Sequence, residues 1–263
     1  MMAPRLSPAP ALDRAFLGAP LAHRALHDIT QGRPENSRAA IRAAIAAGYG
    51  IEIDIQPSSD GVAMVFHDYA LHRLTAETGP VRTRSAADLG AIALRHGDEG
   101  IPTLREVLDL VAGQVPLLIE IKDQDGAMGP DVGPLEAAVA DELAGYTGPV
   151  AVMSFNPHSI AAIRAVAPGL SAGLTTSAYT AEDWPLLPEA RRSALRPIPD
   201  FEPLGARFIS HEVADLPAPR VAELKAAGHP ILCWTVRSPA QEAEARKIAD
   251  NITFEGYAAP LAP

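Results

Sequence analysis

The chain has 263 residues, with 22 Lys or Arg against 32 Asp or Glu, a formal net charge of −10 and one cysteine. That length suits one large domain or two small ones with a sizeable core, and 48% hydrophobic with 21% charged residues excludes disorder as the main state. A lone Cys233 excludes an intrachain disulfide scaffold, no run of about 18 apolar residues offers a membrane span, and the acidic balance argues against nucleic acid as a partner while allowing a small anionic substrate in a locally positive pocket.

The opening MMAPRLSPAPALDRAFLGAP lacks a continuous apolar stretch after a basic start, so no signal peptide is read. A cytoplasmic protein is expected, in keeping with a single thiol. The first dozen residues are expected to form a loosely held arm. Prolines, 25 in all, fall at element boundaries and read as loop punctuation.

Short β-branched runs then alternate with Ala-rich amphipathic stretches. Residues 19–23 read as a strand. Residues 36–48 read as a helix, with Asn36 or Ser37 to cap it and Gly48 to end it. A strand at 51–56 (IEIDIQ), a turn at Ser59-Asp60-Gly61 and a strand at 62–66 form a hairpin signal. The segment 69–102 has no clear periodicity and reads as an insertion. Helices are expected at 103–112, 133–145, 157–167, 217–227 and 238–249. Strands are expected at 116–122, 149–153, 170–174, 207–210, 230–236 and 251–254, whereas 178–205 is Pro-rich and yields no element. With the hairpin strand set aside, eight strands alternate with helices. This is the size and order of a (β/α)₈ TIM barrel with a small insertion after the second strand, a single domain over 1–263. The competing doubly wound sheet lacks its Gly-rich phosphate fingerprint.

In such a barrel the chemistry sits at the C-terminal ends of the strands. The ionisable residues there are His23, Arg24, Glu52, Asp54, His67, Asp68, Glu120 and Lys122. Glu52 and Asp54 are two apart and share a strand face, as do Glu120 and Lys122, while Ile51, Ile53 and Ile55 occupy the opposite face. Inward acids need a partner, and two readings stand. Glu52, Asp54 and Glu120 form salt bridges inside the barrel, or they converge on a divalent cation. An all-oxygen set favours Mg²⁺ or Ca²⁺, with Mn²⁺ also suited, and no Cys/His spacing suggests zinc. His23 and His67, at two strand ends, suit paired acid/base work near neutral pH. Adjacent side chains on a strand point oppositely, so a pairing of His67 with Asp68 is not assumed. Arg24 and Lys122 add the positive charge of a phosphate clamp.

Six segments in order, AHRALHD (22–28), PENS (34–37), IEIDIQPSSDG (51–61), VFHDYALHRLT (65–75), IPTLREVL (101–108) and LLIEIK (117–122), with CWTV (233–236) later, resemble the glycerophosphodiester phosphodiesterase family. The resemblance implies a TIM barrel with a subdomain inserted after the second strand. It implies metal binding by Glu52, Asp54 and Glu120, with His23 and His67 as general base and acid. Arg24, Glu35 and Lys122 would support the site, Glu35 orienting His23 or Arg24, and Trp234 would wall the glycerol or its substituent unless it is simply a core aromatic. One departure is Ala25, where the family has Gly, a residue suited to close backbone approach or unusual φ/ψ. His27 and Asp28 lie in the longer loop that follows and read as loop residues.

The implied reaction is hydrolysis of a small glycerophosphodiester to sn-glycerol 3-phosphate and an alcohol. His23 takes a proton from water or a glycerol hydroxyl, and His67 gives one to the leaving alkoxide. The alternatives are a phospholipase D-like lysolipid phosphodiesterase and a barrel that binds metal and phosphate without turnover.

Overall fold

A computed structural model describes residues 6–261. The chain enters the barrel at β1 (Leu21–Ala22), then runs α1 (Arg38–Ala47), β2 (Gly50–Pro57), β3 (Ala63–Val65), α2 (Ala86–Ala91), α3 (Leu104–Val111) and β4 (Leu117–Ile121). It continues through α4 (Pro134–Leu143), β5 (Val150–Ser154), α5 (Pro157–Val166), β6 (Ser171–Thr176), α6 (Glu189–Leu195) and α7 (Phe201–Leu204). β7 (Ile209–Glu212), α8 (Pro219–Ala226), β8 (Ile231–Val236), α9 (Pro239–Ala245) and β9 (Asn251–Phe254) complete it. The strand order β1-β9-β8-β7-β6-β5-β4-β2, with β1 also paired to β2, closes a parallel eight-stranded barrel. β3 adds antiparallel to the upper end of β2. This is the TIM barrel expected from the alternation of elements.

Strand pleating separates two apolar layers. Ile51, Ile53 and Ile55 of β2 join the large cluster between strands and helices. The inward cluster contains Leu21, Leu118, Ala151, Met153, Phe208 and Leu232, with Leu12 and Phe16 from below. Each such side chain contributes about 1.5–3 kcal/mol by leaving water. Gly173 makes this filling possible, because a Cβ there would stand 2.6 Å from the Phe208 ring. Cys233 is fully buried, which pushes its thiol up to about 12.

Local signals set the helix ends. Ser37, not Asn36, caps α1 by accepting from the Ala40 N–H, and Gly48 ends it at φ 76°. Thr103 and Glu106 form a capping box on α3, which satisfies two otherwise orphaned donors. Residues 69–102 carry α2 and several tight turns around their own cluster of Met64, Phe66, Leu71, Val81, Leu89, Leu94 and Ile101.

The N-terminal arm differs from its expectation within the described residues. The N–H of Leu6 donates to Pro203 O and that of Ala9 to Gly205 O, both at 2.9 Å. Arg164 Nη2 donates to Ser7 O at 2.6 Å, and Asn251 Nδ2 donates to Phe16 O and Ala19 O at 2.8 Å. The segment is strapped across the barrel floor, because Leu12 and Phe16 fill the end of the interior that the short β1 leaves uncovered. Residues 1–5 of the arm lie outside the described residues.

Candidate active site

The register of β2 against β4 places Asp54 beside Glu120, and Glu52 lies two residues earlier on the same inward face. All three are buried, and one carboxylate oxygen from each lies within 4.8 Å of the others. Lys122 Nζ reaches Glu120 Oε1 at 2.7 Å and Asp54 Oδ1 at 3.3 Å. Asp54 also accepts from Asn36 Nδ2 at 3.0 Å and faces Arg24 Nε at 3.6 Å. Burial opposes its ionisation, but Lys122, His67, Arg24 and Asn36 hold its carboxyl well below the usual range. Burial also opposes the charge on Lys122, yet Glu120 and Asp54 raise its pKa.

Glu52 is different. Its Oε2 accepts the Arg24 backbone N–H at 2.9 Å, and among the described residues no ion pair reaches it. Burial, then Asp54 and Glu120, push its carboxyl well above the usual range. The salt-bridge reading therefore accounts for Asp54 and Glu120 but leaves one buried carboxylate uncompensated. Three converging oxygens with a deficit of positive charge are a donor set that fits a hard divalent cation.

His23 follows β1, and its Nδ1 lies 2.5 Å from Glu255 Oε2, beyond the end of β9. Burial lowers the imidazole pKa against the raising pull of Glu255. Burial would raise Glu255 itself, but His23, His27 and Arg237 hold it well below the usual range. His67 Nδ1 lies 2.7 Å from Asp68 Oδ1. The two residues do pair, because β3 ends at Val65 and strand alternation no longer applies at 67 and 68. Asp68 is held in turn by Arg73 Nε at 2.6 Å. Burial opposes this charge too, but His67 and Arg73 hold the Asp68 carboxyl below the usual range.

Glu35 touches Arg24 rather than His23, accepting from Arg24 Nη1 at 2.7 Å and from Arg73 Nη1 and Nη2 at 2.7 Å. It sits behind the site as the link between two guanidinium groups. The other eight residues expected to build the site, His23, Arg24, Glu52, Asp54, His67, Glu120, Lys122 and Trp234, line one cavity of about 120 Å³, whereas Asp68 lines the neighbouring one. Beside it a cavity of about 610 Å³ shares His67, Glu120, Lys122 and Trp234 and is walled by Phe155, Trp184 and Met128. Trp234 Nε1 donates to Ser210 O at 3.1 Å, and the Phe155 ring meets Trp234 and Trp184 edge-on at 5.5 and 4.8 Å. Trp234 is thus a wall residue at the boundary of the two cavities.

Sequence reasoning missed Glu255, Arg73, Phe155 and Trp184. The strand-end rule, carried on to the eighth barrel strand, would have reached Glu255. Trp184 lies in the Pro-rich stretch that yielded no element, and Arg73 in the aperiodic insertion.

Residues 23–251 match the sequence profile of the Glycerophosphoryl diester phosphodiesterase family. A glycerophosphodiester phosphodiesterase of Caldanaerobacter subterraneus is 29% identical over 172 residues, 62% of this chain and 70% of that protein. Glycerophosphodiester phosphodiesterase 1 of Rattus norvegicus is 35% identical over 113 residues, 39% of this chain, and the match spans only 33% of the rat protein. The structure of an Oleispira antarctica phosphodiesterase in complex with the product sn-glycerol-3-phosphate superposes with a TM-score of 0.74 at 24% identity, covering 92% of this chain and 94% of that one. With the profile spanning nearly the whole barrel, the chain belongs to the glycerophosphoryl diester phosphodiesterase family, a family of phosphodiester-hydrolysing enzymes.

Proposed function

We propose that the protein hydrolyses glycerophosphodiesters to sn-glycerol 3-phosphate and an alcohol, with His23 as general base and His67 as general acid. The observation that carries this reading is the pair of histidines, each with Nδ1 against a carboxylate, lining the same small cavity as three buried carboxylates. A proton on each Nδ1 satisfies its carboxylate and leaves Nε2 for the reaction. His23 is suited to the base role because burial favours its neutral form. His67, half-exposed and adjoining the larger cavity, faces the side where a leaving alcohol has room.

Glu52, Asp54 and Glu120 would hold a divalent cation of the Mg²⁺ or Ca²⁺ class, which when bound supplies positive charge to a non-bridging phosphate oxygen. Lys122 and Arg24 stabilise the rest of the developing negative charge, with Glu35 and Arg73 fixing the direction of the Arg24 guanidinium. Trp234, Phe155 and Trp184 exclude water around the leaving group. Metal-stripped protein incubated with glycerophosphocholine should release glycerol 3-phosphate only when Mg²⁺ or Ca²⁺ is restored. Absence of release with any common headgroup and either metal would overturn the assignment. The apolar wall of the 610 Å³ cavity favours one second reading, a lysolipid diester. Lysophosphatidylcholine cleaved faster than glycerophosphocholine would select it.

A further inference from the structure

The loop after β1 brings to the His23–Glu255 pair a third ligand-type side chain, His27, that the proposed reaction does not use. Arg24 and Ala25 both adopt left-handed backbone, φ 52° and 65°, and the chain turns back so that His27 lies beside His23. The N–H of Leu26 donates to Ala40 O and that of His27 to Ala25 O, which fix the turn. His27 Nε2 is buried with no hydrogen-bond partner, and it stands 3.5 Å from Glu255 Oε2. That same oxygen is 2.5 Å from His23 Nδ1, while Glu255 Oε1 is taken by Arg237 Nε at 2.7 Å. One atom each from His23, His27 and Glu255 therefore lies within 4.8 Å of the others.

Ligand atoms tetrahedrally placed around Zn²⁺ sit about 3.3 Å apart, from bond lengths of about 2.0–2.1 Å. The His27–Glu255 separation of 3.5 Å already matches that spacing, and the 2.5 Å His23–Glu255 contact would open by under about 1 Å to admit an ion. Two imidazoles and one carboxylate suit a borderline transition metal and not Mg²⁺ or Ca²⁺, so the donor set differs in kind from the three-carboxylate floor. His23 lines the small cavity with the three acids, but the other two ligands have a second approach. His27 and Glu255 line a cavity of about 830 Å³ that does not include the three acids.

We propose that His23, His27 and Glu255 form a second cation site, selective for a Zn²⁺-class ion, whose occupation switches the enzyme off. The binding half rests only on this geometry. The inhibitory half rests on the proposed base role of His23. Bound through Nδ1, the neutral imidazole keeps its one proton on Nε2, which then has no lone pair to accept another. With Glu255 as partner instead, the proton sits on Nδ1 and Nε2 is a base. The metal thus exchanges a proton acceptor for a donor at the reacting nitrogen.

The test uses the intact enzyme in excess Mg²⁺, with Co²⁺ as a spectroscopic stand-in for Zn²⁺, comparing wild type with His27→Asn. Wild type should take up one Co²⁺ with the strong visible absorption of a tetrahedral site, and micromolar Zn²⁺ should cut turnover at least tenfold. His27→Asn should retain metal-free-site turnover and lose both responses. Outer-shell partners alone change metal affinity by about 10–100-fold, so loss of a ligand should weaken binding by at least about 100-fold. Zn²⁺ that merely displaces Mg²⁺ from the carboxylates would act equally on both proteins. No Co²⁺ uptake in wild type, or equal uptake by His27→Asn, would overturn the site. Binding that depends on His27 but leaves turnover intact would keep the site and overturn the base role of His23. If neither protein hydrolyses a glycerophosphodiester, the proposed reaction fails while the Co²⁺ spectrum still decides the site.

Discussion

His23 and His67 both present Nδ1 to a carboxylate, at 2.5 and 2.7 Å, but the two sides of the barrel mouth reach this arrangement by different routes. The carboxylate on His67 belongs to the next residue and is clamped by Arg73, within a segment that follows the hairpin. The carboxylate on His23 comes from 232 residues away, after the last strand. On the His67 side the surroundings are aromatic and spacious. On the His23 side they are charged, and Glu255 also faces His27 and Arg237. A local partner keeps its histidine oriented whatever the barrel does, whereas a partner from the far end of the chain ties orientation to barrel closure and offers a second control point.

The largest effect should come from removing the local side altogether. His67→Ala should lower kcat by about 10²–10⁴-fold, the usual worth of a general acid, while the cation-induced rise in Tm persists. Equal turnover in that variant would remove His67 from the mechanism. The two carboxylates separate the sides more finely. Glu255→Gln should lower kcat by about 10–100-fold, in the range of lost supporting partners. It should also move the acid limb of kcat/KM to lower pH, because Glu255 raises the His23 pKa against burial. Asp68→Asn should leave that limb in place. A shift of the same limb in both variants would erase the distinction. On the aromatic side, Trp184→Ala should raise KM about tenfold for diesters with bulky alcohols, near the worth of one aromatic contact, with little change for small ones.

The acid floor beneath both sides gives a pH test. A raised Glu52 pKa means that the folded protein keeps a proton there to higher pH than the unfolded chain does. That contribution to stability is present below the unfolded carboxylate value and is lost as pH rises through the raised value. A divalent cation stabilises the ionised form instead, so its effect on Tm should grow as pH rises above the ordinary carboxylate value. A pH-independent shift would place the cation elsewhere. The smallest effect is expected at Ala25. Its left-handed φ costs about 1–2 kcal/mol for a residue other than Gly. Ala25→Gly removes that cost but loses a buried methyl worth about 0.8 kcal/mol and gains unfolded-state entropy of about 0.4–1 kcal/mol. The net change in urea unfolding should stay under about 1 kcal/mol.

The barrel was legible because its strands carry β-branched runs and its helices begin with caps such as Ser37 and Thr103. The acids of β2 were legible because period-two alternation of Ile51, Ile53 and Ile55 left Glu52 and Asp54 on the opposite face. What stayed hidden depends on contacts made across the chain or on elements too short to show a period. α6 and α7 have seven and four residues, so Trp184, just before them, had no frame to be placed in. The strand-end rule could have reached Glu255, but its pairing with His23 shows only once β9 lies beside β1. The pairing of His67 with Asp68 turned on where β3 stops, which alternation could not set.

Ring closure has a consequence during synthesis. Glu52, Asp54, His67, Glu120 and Lys122 have all been made when less than half of the 263 residues are joined. The partner of His23 arrives only with Glu255, and β1 holds its place by bonding to β9 as well as to β2. A nascent chain on the ribosome therefore carries the acid floor early, whereas the carboxylate that faces His23 Nδ1 follows only after β9.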